Sequence, residues 1–544
     1  MRKNINSLFA IALGFAAIAC SSPEKMAEMA ENVTVKCEPA VLEVVGGVID
    51  ATVSVTYPED YFHPKAVLEV TPVIVYEGGE VAMEPFTFQG EKVEDNYQVV
   101  PSAGATITKN VRFEYVPGME NSYLELRGVV SHKKKTVDLP TKKVADGANT
   151  TYMLVCQKGK LDLKDDNYLE IIKQTAEGQI LYQINSSTVR NSQLRGESVK
   201  EYKAALNEIL ANERKTIVST DVVAYASPDG KEDQNAKLSD NRSKSAEKAY
   251  NKVVKGMDVT GDVNVTSVAE DWEGFQELVA ASDLEDKDLI IRVLSMYSDP
   301  AVREKEIKNM SAVYSSLAKE ILPELRRARF IANVEYQNYS NEELLDLIEE
   351  NIDVLDETAL LRAATLVKEN DQKVDIYKKA VEKYESAAAQ YNLAVTYVKM
   401  DKLSMAEDAL EGLAQDADWN NAMGVIALRK GNLDAAAKYF AASGNETSKE
   451  NAAVLDILNG DYTAAAAKLA DAKGFNAALA QLLVGNNAPA AALECKCPQA
   501  AYLRAVAAAR QGDAEAVKTN LEAASECDKL AARAAKDVEF AQYR

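Results

Sequence analysis

The feature that most constrains the fold is a short motif that recurs through the alanine-rich last third of the chain. Each clear copy has a glycine, then asparagine or aspartate, then small residues. The motif stands at Lys430–Ala436, Asn459–Ala465 and Gln511–Val517, with weaker copies at Lys399–Ala406 and Val484–Ala491. Such a glycine can take the left-handed conformation that ends one helix, and the polar residue after it can begin the next. Copies about every 25 to 30 residues predict a stack of helical hairpins over residues 341–544.

Two further regions precede these repeats. Residues 33–155 alternate between apolar and polar side chains, as in Ala51–Val55, and are punctuated by glycine and proline turns. This pattern predicts an antiparallel β-sandwich. Residues 160–340 mix strand and helix patterns, which predicts an α/β domain. The acid-rich stretch 271–325 is predicted to be a helical insertion before the last strand of this domain. We therefore expect a multidomain chain.

Charge and motif content limit the classes of function. The formal net charge is −22, which disfavours binding to nucleic acid or to anionic lipid headgroups. Neither His63 nor His132 has a second histidine or a cysteine at metal-ligand spacing, so a zinc site or a Ser-His-Asp triad is poorly supported. Carboxylate pairs such as Glu270/Asp271 are interpreted as solvated, and no hydrolase or phosphate-binding motif occurs. We expect a protein that is not an enzyme and has no metal or other cofactor.

The N-terminus carries a specific signal. A basic start is followed by an apolar stretch, Leu8–Ile18, which is too short to span a membrane as a helix. It ends in Ala17-Ile-Ala-Cys20, which resembles a bacterial lipobox, although that pattern prefers leucine where Ala17 stands. The resemblance implies a signal peptide over 1–19, lipidation of Cys20 by palmitate or similar acyl chains, and a polar tether over 20–32. A plain secretory signal is the alternative.

Five further cysteines remain: Cys37, Cys156, Cys495, Cys497 and Cys527. In an oxidising compartment an odd number leaves at least one thiol free. We interpret them as structural, with a bridge from the Cys495–Cys497 pair to Cys527 as one option. A metal or redox role for that pair is weakly supported, since no second pair or histidine accompanies it.

The repeats are similar to tetratricopeptide repeats. Gly424, Ala427, Ala436 and Phe440 stand at that family's small, small, small and aromatic positions. The resemblance implies a protein-binding array, with other envelope proteins as its partners. A purely architectural helical stack is the alternative, because packing alone explains the pattern.

The central region resembles the OmpA-like peptidoglycan-associating domain. The segment Val222–Gly230 is followed by an Asn-x-x-Leu-Ser-x-x-Arg motif that begins at Asn235 and ends at Arg242. A second match, Arg326–Val334, is like the arginine-led last strand of that family. In the family, an aspartate in the turn and the motif arginine hold the peptidoglycan stem peptide.

The resemblance implies a ligand-binding set of Arg242, Asp229, Ser227 and Asn235. Ser227 falls where the family has its aspartate, and Asp229 is the nearest acid. A serine can hydrogen-bond but cannot pair with an ammonium group as a carboxylate does. The alternative is that Asp229 caps its own turn and Arg242 makes a structural ion pair.

The whole arrangement resembles lipoproteins of the Bacteroidales group. It implies a non-enzymatic, lipid-anchored protein of the cell outer membrane, facing the periplasm or the cell surface. On this hypothesis the variant OmpA-like domain associates with peptidoglycan and the repeats bind envelope proteins. The alternative is an assembly scaffold for envelope or surface proteins whose OmpA-like domain no longer binds peptidoglycan.

Overall fold

The computed structural model describes residues 22–228, 232–284, 286–309 and 311–544. It divides the chain into two compact units. Unit 1 combines the N-terminal part, up to Lys164, with residues 390–544, and unit 2 comprises residues 165–389. Cys20 and Asp229, two of the residues singled out in the sequence, lie outside the described residues.

Unit 1 begins with a mixed β-sheet in which eleven strands are formed by the described residues. The strands are β1 (Thr34–Glu38), β2 (Val41–Val45), β3 (Val48–Tyr57), β4 (Val67–Tyr76), β5 (Gly79–Ala82), β6 (Phe86–Gly90), β7 (Gln98–Val100), β8 (Ala105–Glu114), β9 (Ser122–His132), β10 (Lys135–Asp138) and β11 (Lys142–Asn149). Their main order is β1-β3-β2-β11-β9-β4-β6-β7, while β8, β5 and β10 pair with β3, β4 and β9.

The prediction of a purely antiparallel sandwich was wrong for two strand pairs. Strand β11 runs parallel to β2, and β7 runs parallel to β6. The alternation itself was predictive, because Ile49, Ala51 and Val53 on β3 are all buried. Alternation fixes which face of a strand is buried, but it does not fix the direction of the strand beside it.

The described part of the expected tether is ordered. Residues Pro23–Glu28 form helix α1, and a single 3-10 turn follows at Ala30–Asn32. The helix begins at Ser22, whose hydroxyl accepts a hydrogen bond from the Lys25 amide, and Met26 is fully buried. Pro23 is buried as well, and Glu24 pairs with Lys135 of β10 at 3.0 Å, so apolar and charged contacts together hold this short segment against β9 and β10.

Unit 2 is built on a four-stranded sheet of order β12-β15-β13-β14. Its strands are β12 (Ile171–Leu181), β13 (Lys215–Tyr225), β14 (Asp262–Val268) and β15 (Arg327–Gln337), and helices α2 (Glu197–Leu210) and α3 (Glu232–Val253) accompany them. Strand β15 is antiparallel to both neighbours, whereas β13 and β14 are parallel. Aromatic side chains from α2, α3 and β15 (Tyr202, Tyr250 and Phe330) form the centre of a core that covers one face of the sheet.

The remaining helices of unit 2 follow in two groups. The stretch predicted as a helical insertion holds α4 (Trp272–Ala281), α5 (Lys287–Met296), α6 (Pro300–Asn309) and α7 (Ser311–Glu320). After β15 come α8 (Asn341–Glu350), α9 (Glu357–Leu366) and α10 (Asn370–Tyr384). Unit 2 therefore extends beyond the predicted boundary at residue 340. Arg214 explains this, because it forms an ion pair with Glu343 on α8 at 2.6 Å and lies over the Tyr339 ring.

The C-terminal part of the chain is all-helical. The helices are α11 (Ala387–Lys399), α12 (Leu403–Leu410), α13 (Ala417–Arg429), α14 (Leu433–Ser443), α15 (Glu446–Asn459), α16 (Tyr462–Lys468), α17 (Phe475–Leu483), α18 (Ala488–Ala491), α19 (Pro498–Gln511), α20 (Ala514–Ala524) and α21 (Asp528–Ala534). Within the described residues, no helix is both long and apolar enough to cross a membrane.

The repeated motif forms the turns between these helices. Gly460 and Gly512 have φ of +85° and +77° and end α15 and α19, which confirms the left-handed conformation expected of them. The next residues, Asp461 and Asp513, then accept hydrogen bonds from the first turns of α16 and α20. Gly424 has a packing role instead, since a Cβ there would lie 2.4 Å from the Phe440 ring.

Candidate functional site

Three of the four residues predicted to bind peptidoglycan meet at the end of β13 and on α3. Ser227, Asn235 and Arg242 are all buried. The Asn235 Nδ2 donates a hydrogen bond to the carbonyl oxygen of Ser227 at 3.0 Å. The motif therefore ties the start of α3 to the turn that follows β13. The fourth residue, Asp229, falls outside the described residues.

The Arg242 guanidinium is enclosed by its own fold. Its side chain is 1% exposed, and Nε, Nη1 and Nη2 donate to the carbonyl oxygens of Ser186 at 3.0 Å, Tyr225 at 2.8 Å and Gln183 at 3.3 Å. The Tyr182 ring lies 5.0 Å from the guanidinium carbon. Burial raises the pKa of the Tyr182 hydroxyl, and its hydrogen bond to Ser245 and the charge of Arg242 oppose that rise. This arginine joins β13, α3 and the segment after β12.

A second arginine near β13 is also paired internally. Arg327, in the arginine-led strand, forms an ion pair with Asp271 at 2.9 Å, and both side chains are buried. Asp271 also accepts a hydrogen bond from the Gly274 amide and so begins α4. The interpretation of Asp271 as a solvated carboxylate was wrong. A long-range ion pair leaves no local pattern, since its two partners are 56 residues apart.

Unit 1 contains an arrangement that the sequence analysis did not predict. Residues 156–164 follow the β-sheet and lie along the C-terminal helices, where three asparagines hold them. Asn476 accepts from the Cys156 amide at 2.8 Å and donates to the Cys156 carbonyl at 2.8 Å. Asn451 pairs in the same two ways with Lys160, at 2.8 and 2.9 Å. Asn392 does so with Lys164, at 2.7 and 3.1 Å.

We call this surface the asparagine groove, defined by Asn392, Asn421, Asn451 and Asn476 on the alternate helices α11, α13, α15 and α17. Asn421 adds a hydrogen bond to the Lys160 carbonyl and accepts one from Asn451. A primary amide carries a donor and an acceptor side by side, so it can satisfy both main-chain groups of one residue. The asparagines of the groove therefore pair with main-chain groups rather than with side chains.

The spacing of these contacts indicates an extended segment. The three paired residues are four positions apart, and an eight-residue extended chain covers about 26 Å. Packed helices lie about 8 to 10 Å apart, so three steps between four helices cover about 24 to 30 Å. The two lengths agree, and the segment runs antiparallel to the helix order, because Asn392 binds its end and Asn476 its beginning.

Charged side chains fix the register of the segment. Lys160 forms an ion pair with Glu450 at 3.0 Å. Lys164 pairs with Asp416 at 3.1 Å and also with Asp418. Burial opposes the charge of Lys164, but the hydrogen bonds to these two carboxylates outweigh it and raise the pKa of the ammonium group.

Two smaller features add to this register. The Thr447 hydroxyl donates to Asp162 at 2.6 Å. Gly159 has a φ of +74°, and a Cβ there would lie 2.4 Å from the Val425 side chain. Only glycine therefore allows the close approach at this position.

A periodic signal for the groove exists in the sequence. Asn392, Asn451 and Asn476 each precede by nine residues a left-handed turn residue, at Asp401, Gly460 and Gly485 respectively. Asn421 precedes its turn, Gly431, by ten. This spacing from the turns is the sequence signal by which the four asparagines can be found.

Histidines and cysteines do not assemble a metal site in the part of the chain that the structure describes. The ring centroids of His63 and His132 lie 4.7 Å apart, and burial together with the charge of the neighbouring His132 lowers the pKa of His63. No group of three or more potential ligands is present among the described residues. The five described cysteines are free, so Cys527 forms no bridge to the Cys495–Cys497 pair.

No protein-family model and no curated protein sequence matches the chain. The resemblances to OmpA-like domains and tetratricopeptide repeats therefore remain predictions from short motifs.

Proposed function

We propose that the chain is a non-enzymatic lipoprotein of the outer membrane, anchored through Cys20, that serves as an assembly scaffold for other envelope proteins. The observation that carries this proposal is the asparagine groove. Side-chain amides spaced along packed helices are suited to hold an extended polypeptide by its main chain. A tetratricopeptide-like array with such a groove is a protein-binding surface, and it needs neither a cofactor nor a catalytic residue.

The proposal treats unit 2 as an OmpA-like domain that no longer binds peptidoglycan. Its support is the environment of Arg242, whose three guanidinium nitrogens already donate to carbonyl oxygens inside the fold. Three of the five N–H donors of this guanidinium are thus directed at carbonyl oxygens of the fold, and the residue is 1% exposed. A carboxylate from outside would have to reach a buried group, which disfavours binding.

Peptidoglycan association is the second candidate. The observation in its favour is that Ser227, Asn235 and Arg242 meet at the end of β13, as the family motif requires. Sedimentation with purified sacculi separates the two functions. A scaffold stays in the supernatant, whereas a wall-binding protein pellets, and Arg242→Lys then weakens pelleting by more than a core variant that has the same lowered melting temperature.

The scaffold function is tested by direct, saturable binding. Full-length protein is cross-linked in its native envelope, each captured protein is purified, and its affinity is measured for the wild-type chain and for Asn392→Leu/Asn451→Leu. We expect affinity to fall in the groove variant and to persist in Lys158→Glu, an exposed substitution in the neighbouring segment. A captured protein that binds both variants equally contradicts the proposal.

The anchor is tested separately. Cys20→Ser is expected to move the protein from the outer-membrane fraction to the soluble fraction and to abolish palmitate incorporation, whereas Cys37→Ser changes neither. A wild-type chain that takes up no palmitate overturns the lipoprotein assignment.

A further inference from the structure

Residues 156–164 occupy the asparagine groove without being part of a helix or a strand. Among the described residues, no main-chain to main-chain hydrogen bond joins this segment to the rest of the chain. Its attachments are the asparagine amides, exposed or half-exposed ion pairs, the hydrogen bond from Thr447 to Asp162, the Lys164 ammonium over the Tyr391 ring, and the close contact of Gly159 with Val425. Each such hydrogen bond or ion pair has a small net free energy, because water competes for the same groups.

We propose that residues 156–164 are a removable plug, and that a partner protein enters the asparagine groove by exchange with this segment. The inference rests on the proposed scaffold function and names the chemistry of its partner. In the folded chain the groove is filled, so it is open to a partner only after the plug has left.

The groove defines what the partner must carry. The main chain has to be extended overall, because residues that are four positions apart in the segment pair with asparagines on different helices. Glu450 favours a cation at the position of Lys160, and Asp416 with Asp418 favours one at the position of Lys164. Val425 admits only glycine before the first cation. The fitting segment is therefore Gly-Lys-x-x-x-Lys.

The position between the two cations is specified as well. Thr447 donates to Asp162 in the plug, so an acceptor such as aspartate fits there. The partner segment extends accordingly to Gly-Lys-x-Asp-x-Lys, which is the sequence of the plug itself.

Covalent linkage gives the plug an advantage over any free ligand. A segment tethered beside its site has an effective concentration of about 1 mM. A free peptide with an intrinsic dissociation constant of about 10 μM therefore binds about 100-fold more weakly while the plug is in place. Substitutions that weaken binding of the plug should therefore increase the measured affinity for a free peptide, although the groove itself is unchanged.

The test uses the full chain and a fluorescent peptide of residues 155–166, with serine in place of Cys156. Binding is followed by fluorescence anisotropy. In the chain, Gly159→Val and Lys160→Glu together expel the plug, by the clash with Val425 and by repulsion from Glu450. We expect this opened chain to bind the peptide at least about tenfold more tightly than the wild-type chain does. The Lys158→Glu chain should behave as wild type, because Lys158 is exposed.

The same substitution in the peptide provides the internal control. A peptide with Gly159→Val should not bind the opened chain, since it meets the same Val425. If it binds as well as the parent peptide, or if an opened chain with an unchanged circular dichroism spectrum binds neither, the proposal is wrong. Equal affinity of the wild-type and opened chains also overturns it.

A second measurement needs no variant. Excess peptide added to the wild-type chain should increase deuterium uptake at the amides of Cys156, Lys160 and Lys164, which the asparagines otherwise protect. Unchanged uptake at about 1 mM peptide, the effective concentration of the plug, contradicts exchange. These results are independent of whether any envelope protein is captured, so failure of the plug and failure of the scaffold function are distinguishable.

Discussion

The site around Arg242 and the asparagine groove both join side chains to main-chain groups, but the side chain and the main chain exchange places between them. In unit 2, main-chain carbonyls surround a side-chain cation. In unit 1, side-chain amides surround a stretch of main chain. Arg242 is buried and joins elements of one core, whereas the segment at Lys160 is exposed or half-buried and connects β11 to β12 along the chain.

The difference shows which of the two arrangements is suited to exchange. The Arg242 bonds connect three parts of the fold, so a ligand that took them would also loosen the core. The groove bonds connect a helical surface to a segment that, among the described residues, makes no main-chain to main-chain hydrogen bond with the rest of the chain. A motif match can therefore mark a structural contact within a core, and the binding surface that we propose lies in a different unit.

The largest expected effect is on the Arg242 site. Arg242→Ala leaves the carbonyls of Ser186, Tyr225 and Gln183 without their donor and should lower the free energy of unfolding by about 3 to 5 kcal/mol. Arg242→Lys should cost most of that, since one ammonium group cannot reach all three oxygens. Denaturant unfolding measures both.

The exposed Arg190→Ala serves as the control, with an expected change within about 0.5 kcal/mol. If Arg242→Ala changes the free energy of unfolding as little as Arg190→Ala does, Arg242 does not stabilise the core, and the site no longer differs from the groove in this respect.

The second effect concerns the buried part of the groove. Asn451→Leu removes both bonds to Lys160 and the one to Asn421, and should lower the free energy of unfolding by about 2 kcal/mol. Hydrogen exchange should show faster uptake at the Lys160 amide. An unchanged rate there would mean that Asn451 does not hold the segment.

Asn476→Leu should have a smaller effect. It contacts Cys156 at an exposed point of the segment, where water can replace the lost bonds, so about 0.5 to 1 kcal/mol is expected. The ratio of the two asparagine effects tests whether burial sets the strength of each pair. An Asn476 effect as large as that of Asn451 contradicts this gradient.

The smallest effect is a loosening of the plug in acid. Burial raises the pKa of Asp416, but hydrogen bonds from the Trp419 amide and from Lys164, together with the charge of Lys164, outweigh it and hold that pKa below its ordinary 3.8. The contribution of this carboxylate is present above pH 3.8 and is lost as the pH falls through its lowered pKa. The raised pKa of Lys164 keeps the ammonium charged throughout this range, and its contribution is lost only in alkali above pH 10.5.

Trp419 follows Asp416 closely and reports the change by fluorescence in a Trp272→Phe chain. We expect a transition below pH 3.8 that moves to higher pH in Lys164→Met, because that chain lacks the cation that helps to lower the pKa of Asp416. A transition at the same pH in both chains would assign it to another group.

Sequence patterns predicted those parts of the structure that depend on local chemistry. The alternation in β3, the glycines that end α15 and α19, and the helical stretch before β15 were all readable from neighbouring residues. The parallel pairing of β2 with β11 was not, because it depends on which strands meet. The Arg327–Asp271 pair and the Asn392–Lys164 pair join residues far apart in the chain, and no local rule specifies them.

The Asn392–Lys164 pair has a consequence for the modular build of the molecule. The chain leaves unit 1 after Lys164 and returns to it at residue 390, and the two ends of this excursion are fastened by one amide two residues further on. Unit 2, residues 165–389, is thus an insertion in the sequence of unit 1, and its two ends are joined by this amide. Replacing unit 2 with a short linker should therefore leave unit 1 folded, and the same junction should accept a different inserted domain.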